Sequence, residues 1–129
     1  MSPELHINLA NLKSNIKFFK RIIKKNTELS AVVKSDAYGL GIAKIVPEIE
    51  RYGVRSFFTA TISEAIKIRS HSRDCEIFTL NGFDFLKSNL YREHNITPII
   101  NNILEAQKFI EIFNQTQKVA IQLNTGMNR

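Results

Sequence analysis

Lys34 stands at the end of the apolar run Leu29-Ser30-Ala31-Val32-Val33 and opens a segment, Ser35 to Gly41, that holds Tyr38, Gly39 and Gly41. The run reads as a strand buried on both faces. A lysine at the C-terminal end of such a strand has its ammonium at the mouth of the sheet, where α/β enzymes place their sites. Low dielectric and nearby positive charge free a lysine amine as a nucleophile, the condition for covalent chemistry with a carbonyl. Tyr38, four residues on, offers a hydroxyl donor at the same mouth, and Gly39 and Gly41 let backbone N–H groups approach an anion. The residues alone leave a plainer alternative open. Lys34 could lay its stem along apolar surface with its head in water, the glycines only turning the chain.

A second polar cluster, Leu123-Asn124-Thr125-Gly126-Met127-Asn128-Arg129, also follows a strand-like run, Val119 to Leu123. Its groups are expected on the same face as Lys34, and an arginine there can donate to a cofactor or substrate oxygen. The alternative is an exposed arginine at a chain end. Two polar clusters at like ends of parallel strands argue more than either alone.

The elements that would position these residues follow from periodicity. Asn8 can cap a helix in which Leu9, Leu12, Ile16, Phe19 and Ile23 share one face, after a short strand-like Leu5-His6-Ile7-Asn8. Ile42, Ile45, Val46 and Ile49 line one face of a helix from Gly41 to about Tyr52. Ser56–Ala60 is strand-like, and Thr61 with Glu64 forms a capping box for a helix to about Arg69. Glu76–Leu80 is the next strand, followed by an Asn81-Gly82 turn and a helix from about Asp84 to His94. Thr97–Ile100 is a short strand. Asn102 with Glu105 caps a helix carrying Ile103, Ala106, Phe109, Ile110 and Phe113. Strands recurring about every 20 residues with helices between are the mark of βα units on a parallel sheet. The expected fold is α/β: a partial (β/α)₈ TIM-type barrel with about five parallel strands and intervening helices, since a closed barrel needs eight strands. A small open α/β sheet is the alternative.

The net charge is +6, and Lys13, Lys17, Lys20, Arg21, Lys24 and Lys25 crowd one helix. Interleaved with its apolar face, they read as a solvated surface, and no finger, RNP or Walker pattern points to a specific nucleic-acid partner. No apolar run approaches the roughly 18 residues that span a bilayer, and no signal-peptide pattern opens the chain. Cys75 is the sole cysteine, so no disulfide forms within one chain and a cytoplasmic setting is expected.

Val33-Lys34-Ser35-Asp36-Ala37-Tyr38-Gly39-x-Gly41 resembles the cofactor-lysine signature of alanine racemases, V-K-A-x-A-Y-G-H-G. Thr125-Gly126-Met127-Asn128-Arg129 resembles the family's T-G-M-x-R segment, at about the expected distance downstream. The Asn8, Leu12, Asn15 stretch and Glu64-Ala65-x-x-Ile68-Arg69 are similar too, so the likeness runs the length of the chain. Other pyridoxal-phosphate barrels share the lysine strand but not both motifs.

The resemblance implies a PLP-dependent interconversion of L- and D-alanine, with D-alanine supplied for peptidoglycan. It implies that residues 1–129 are the N-terminal part of the PLP-binding barrel domain, without the C-terminal β domain, in an enzyme that is a homodimer when complete. Lys34 would carry pyridoxal 5'-phosphate covalently and serve as one of two acid/bases at the substrate Cα. Tyr38 would donate to the cofactor phosphate, and Arg129 would contact the cofactor's phenolic oxygen or the substrate carboxylate. Three departures stand out. Leu40 replaces a common histidine, Gln122 a lysine that becomes a carbamate in many members, and Asn124 a usual aspartate. The family's opposing tyrosine base has no counterpart up to Arg129, so little racemase activity is expected of these residues alone. A non-catalytic PLP-binding remnant and a basic interaction domain are the alternatives.

Overall fold

The computed structural model describes residues 3–114 and 117–128. Five strands, β1 (Ser30–Val32), β2 (Ser56–Thr59), β3 (Glu76–Thr79), β4 (Thr97–Ile100) and β5 (Ala120–Ile121), form one sheet in the order β1-β2-β3-β4-β5. Every neighbouring pair is parallel. Sequential parallel neighbours joined by right-handed crossovers put all the helices on one face, the arrangement of a singly wound barrel. Among the described residues β1 and β5 stay unpaired with each other, so the sheet is an open part of that barrel.

The helices are α1 (Leu9–Ile22), the short segment α2 (Lys34–Tyr38), α3 (Ile42–Arg51), α4 (Ile62–His71), α5 (Ser88–Glu93) and α6 (Ile103–Phe113). Their starts follow the caps in the sequence: Asn8 Oδ1 accepts from Asn11 N at 3.1 Å, and Asn102 Oδ1 from Glu105 N at 3.0 Å. Thr61 and Glu64 form a complete capping box. On α3 the four residues spaced for one face, Ile42, Ile45, Val46 and Ile49, are all buried. They join Phe57 and Ile77, which lie side by side in register, in the core between sheet and helices.

The opposite face of the sheet is partly open. Val32, Phe58 and Phe78 lie in one register row; Phe58 and Phe78 stack with centroids 4.8 Å apart, while Val32 is 47% exposed. β1 is therefore not buried on both sides, because among the described residues nothing covers its face at Val32, and its one strand neighbour there is β2. Three further expectations change. Residues 5–8 form no strand, since no strand among the described residues pairs with them and Leu5 lies exposed. The helix expected over Asp84–His94 divides into a 3₁₀ turn, Phe85–Lys87, and α5. There the Asp84 N–H donates to Tyr91 Oη at 3.2 Å, and Lys87 N reaches Asp84 O at 3.0 Å in a tighter turn. Finally, only Ile16 of the α1 apolar face is fully buried; Leu9 and Phe19 remain exposed, since within the described residues α1 packs chiefly on α3.

Candidate functional site

Because the strands are parallel, the segments after Val32, Thr59, Thr79, Ile100 and Ile121 all emerge at one end of the sheet. Lys34 sits there, half-buried, one residue past the buried Val33. Among the described residues no carboxylate pairs with its Nζ and no hydrogen bond engages it. An amine at a strand mouth with no counter-ion is available for covalent chemistry with a carbonyl.

The chain beyond Lys34 is unusual. Ser35, Asp36, Ala37 and Tyr38 all have φ between 53° and 56°, so α2 is a left-handed turn built from four non-glycine residues. Each such residue costs roughly 1–2 kcal/mol, and strain of this kind persists only where its surroundings over-determine it. Here they do. Ala37 N donates to Val33 O at 2.9 Å, Gly39 N to Ser35 O at 2.9 Å and Gly41 N to Asp36 O at 2.8 Å. Asp36 Oδ1 accepts from Ile42 N at 3.0 Å, joining the turn to the first residue of α3. Glu64 closes the other side: Oε1 accepts from Ser35 N at 2.6 Å, while Oε2 accepts from Ala60 N at 2.8 Å and Thr61 N at 3.2 Å. Gly39, at φ 82°, ends the turn where a side chain would be strained, though the space beside it is open.

Tyr38 shares this turn with Lys34 but is 62% exposed, and its hydroxyl meets no described partner. The third expected residue, Arg129, lies outside the described residues. The segment leading to it is self-contained. Asn124 Oδ1 accepts from Gly126 N at 3.2 Å and Asn128 N at 2.9 Å, an Asx turn that an aspartate could make equally. This loop leaves the same end of the sheet as Lys34, but four strands away at the opposite edge. The Gln122 amide turns back to Leu123 O at 3.2 Å.

Two residues that organise the lysine turn were not singled out for that task by the sequence. Glu64 shows as half of a capping box, which accounts for its bond to Thr61 but not for its reach to Ser35. Asp36 carried an available signal: an aspartate in a glycine-flanked turn commonly accepts from a backbone N–H.

The family model described as "Alanine racemase, N-terminal domain" matches residues 7–129. The chain belongs to the alanine racemase family. The alanine racemase of Methylobacterium nodulans is 33% identical over 97% of this chain and 34% of its own length. The crystal structure of alanine racemase from Bartonella henselae with covalently bound pyridoxal phosphate matches with a TM-score of 0.86 and 31% identity, over 95% of this chain and 35% of that one. A histidine racemase from Leuconostoc mesenteroides matches at 0.83 with 25% identity, over 94% of this chain and 33% of that one. The 129 residues thus span about a third of the length of the racemases they resemble. The open five-strand sheet has the fold of the N-terminal part of their barrel.

Proposed function

We propose that Lys34 is the cofactor lysine of a PLP-dependent amino-acid racemase acting on alanine. The observation that carries the reading is a half-buried amine at a strand mouth, unpaired among the described residues and rooted in a turn whose strain is held by hydrogen bonds on both sides. The donor set suits pyridoxal phosphate: an amine to condense with its aldehyde, with loss of water, and the Tyr38 hydroxyl one turn away for its phosphate. The bound Bartonella relative supports the same choice. When bound, the cofactor supplies an electron sink for the carbanion left at Cα.

This chain's residues would hold and move protons. Freed by substrate, the Lys34 amine would take or return the Cα proton on one face, while the peptide groups of α2 keep it at that position. Arg129 would contact the cofactor's phenolic oxygen or the substrate carboxylate. Exchange between faces needs a second acid/base, which the family resemblance assigns to a tyrosine outside these residues. We therefore read residues 1–129 as the N-terminal part of the PLP-binding barrel domain, with the remaining strands, a C-terminal β domain and a second subunit needed for turnover. Supply of D-alanine to peptidoglycan, in the cytoplasm, follows from the same reading; no helix among the described residues is long and apolar enough to cross a membrane.

The test uses the 129 residues with pyridoxal phosphate, borohydride reduction and peptide mapping. The expected result is a label concentrated on Lys34, absent in Lys34→Ala, with racemase turnover no higher than that of Lys34→Ala. Label spread over surface lysines with Lys34 unmodified would overturn the assignment.

A further inference from the structure

We infer that Glu64 is a positioning residue for the Lys34 amine, acting through the backbone and not through charge on the amine itself. The inference rests on the reading of Lys34 as the cofactor lysine. The N–H that Glu64 Oε1 receives, at 2.6 Å, is that of Ser35. That N–H belongs to the peptide unit formed with the Lys34 carbonyl, so fixing its plane fixes ψ of Lys34 and the direction in which its side chain leaves the backbone. The other oxygen is anchored by two further N–H groups, of Ala60 and Thr61, in the segment that follows β2. One carboxylate therefore clamps the exit of β1 to the exit of β2. Hydrogen bonds to an ionised acceptor are about twice as strong as neutral ones. They act here on a turn that would otherwise relax, since four non-glycine residues in it have positive φ.

The fold carries its own control. Glu105 occupies the equivalent place at the start of α6, with Oε2 accepting from Asn101 N at 2.9 Å and Oε1 from the Asn102 amide at 2.8 Å. It too reaches back to an earlier exit, that of β3, at Phe83 N, but at 3.4 Å and with no lysine behind it. Both glutamates thus serve the structure, whereas only Glu64 bonds the peptide unit that follows a strand-end lysine.

The experiment compares Glu64→Gln with Glu105→Gln. An amide has one acceptor oxygen and an NH2 donor. A glutamine at position 64 therefore cannot receive the Ser35 N–H on one side and the Ala60 and Thr61 N–H groups on the other. At position 105 it keeps its oxygen for the Asn101 and Phe83 N–H groups only by turning its NH2 toward the Asn102 amide. Each protein is treated with limiting pyridoxal phosphate, reduced with borohydride and digested, and the Lys34 share of total lysine label is read. Glu64→Gln should lower that share about tenfold, the equivalent of one charge-assisted hydrogen bond. Glu105→Gln should leave the share unchanged while lowering the melting temperature comparably. Equal shares in all three proteins, or equal losses in both variants, would overturn the inference. Absence of preferential Lys34 labelling in the unaltered chain would instead remove the cofactor-lysine reading on which it rests. Should Glu64→Gln fail to fold, hydrogen exchange on the unaltered chain decides. The Ser35 amide should be protected like those of the sheet despite the exposure of its residue, and rapid exchange there would refute the clamp.

Discussion

Ser35 is exposed and gives its N–H to Glu64, so its side chain is free to vary while its backbone, at φ 53°, is not. Ser35→Gly should be near neutral, with relief of about 1 kcal/mol of strain offset by glycine's similar loss of unfolded-state entropy. Ser35→Val, β-branched in the left-handed region, should cost about 1–2 kcal/mol more, read as a lower urea midpoint at unchanged slope. Cys75 gives a pH prediction. Burial pushes its thiol up, outweighing the opposing hydrogen bond with the Ser72 side chain. The folded chain then keeps a proton that the unfolded chain releases. The resulting stability is present below the ordinary thiol range, near pH 8.5, and is lost as pH rises through it toward the folded value. Melting temperature should fall between about pH 8 and 10, and Cys75→Ala should flatten that fall whatever its offset at pH 7. At this scale the place of Lys34 at a strand mouth was legible because strand, lysine and glycines adjoin in sequence. The Ser35 contact of Glu64 was not, because its two ends are 29 positions apart and no local pattern records it.

Arg69, in the last turn of α4, ties two loops together. Its guanidinium donates to His94 O at 2.8 Å and Asn95 O at 2.9 Å, and to Arg73 O at 2.7 Å and Ser72 O at 3.3 Å. The α4–β3 and α5–β4 connections are thus held by one planar fork, which a lysine cannot imitate. Arg69→Ala should cost about 2–3 kcal/mol in denaturant unfolding, and Arg69→Lys should recover less than half of it. Element types were largely legible, since α3 buries the four residues its spacing selects and the Thr61 and Asn102 caps start α4 and α6 as read. Errors arose where the partner, not the pattern, decides. Leu29 to Val33 is apolar enough for a central strand yet forms an edge among the described residues, where the 5–8 alternation also found no strand to pair with. The Asp84–His94 stretch broke because Lys87 N bonds Asp84 O in a 3₁₀ turn, while the Asp84 N–H is held by the hydroxyl of Tyr91, seven residues on.

The whole molecule exposes 9045 Å², against about 7,000 Å² for a compact monomer of this length. The surplus, about 2,000 Å², is the area of a substantial protein interface. Beside β5 lies an apolar groove of about 370 Å³, lined by Ile103, Ala106, Phe109, Ile110 and Ile121. The protein alone should bind a hydrophobic dye and associate as concentration rises. Ile110→Glu with Ile121→Lys should reduce both, with stability altered by no more than about 0.5 kcal/mol, because both side chains are already exposed. Membership of a barrel was legible from the strand rhythm. So was an open sheet edge, since five strands leave a barrel unclosed; which apolar side chains line the groove beside it was not, because spacing tells which residues are apolar and not what covers them. The backward reach of Glu64 also has a consequence for synthesis. A nascent chain that has released Lys34 but not yet Glu64 carries the lysine without its clamp. The turn's bonds to Val33, Asp36 and Ile42 can form earlier, but its Glu64 side closes only when α4 begins to form on the emerging chain. A reactive aldehyde meeting the ribosome-bound protein before then would find an amine less firmly placed.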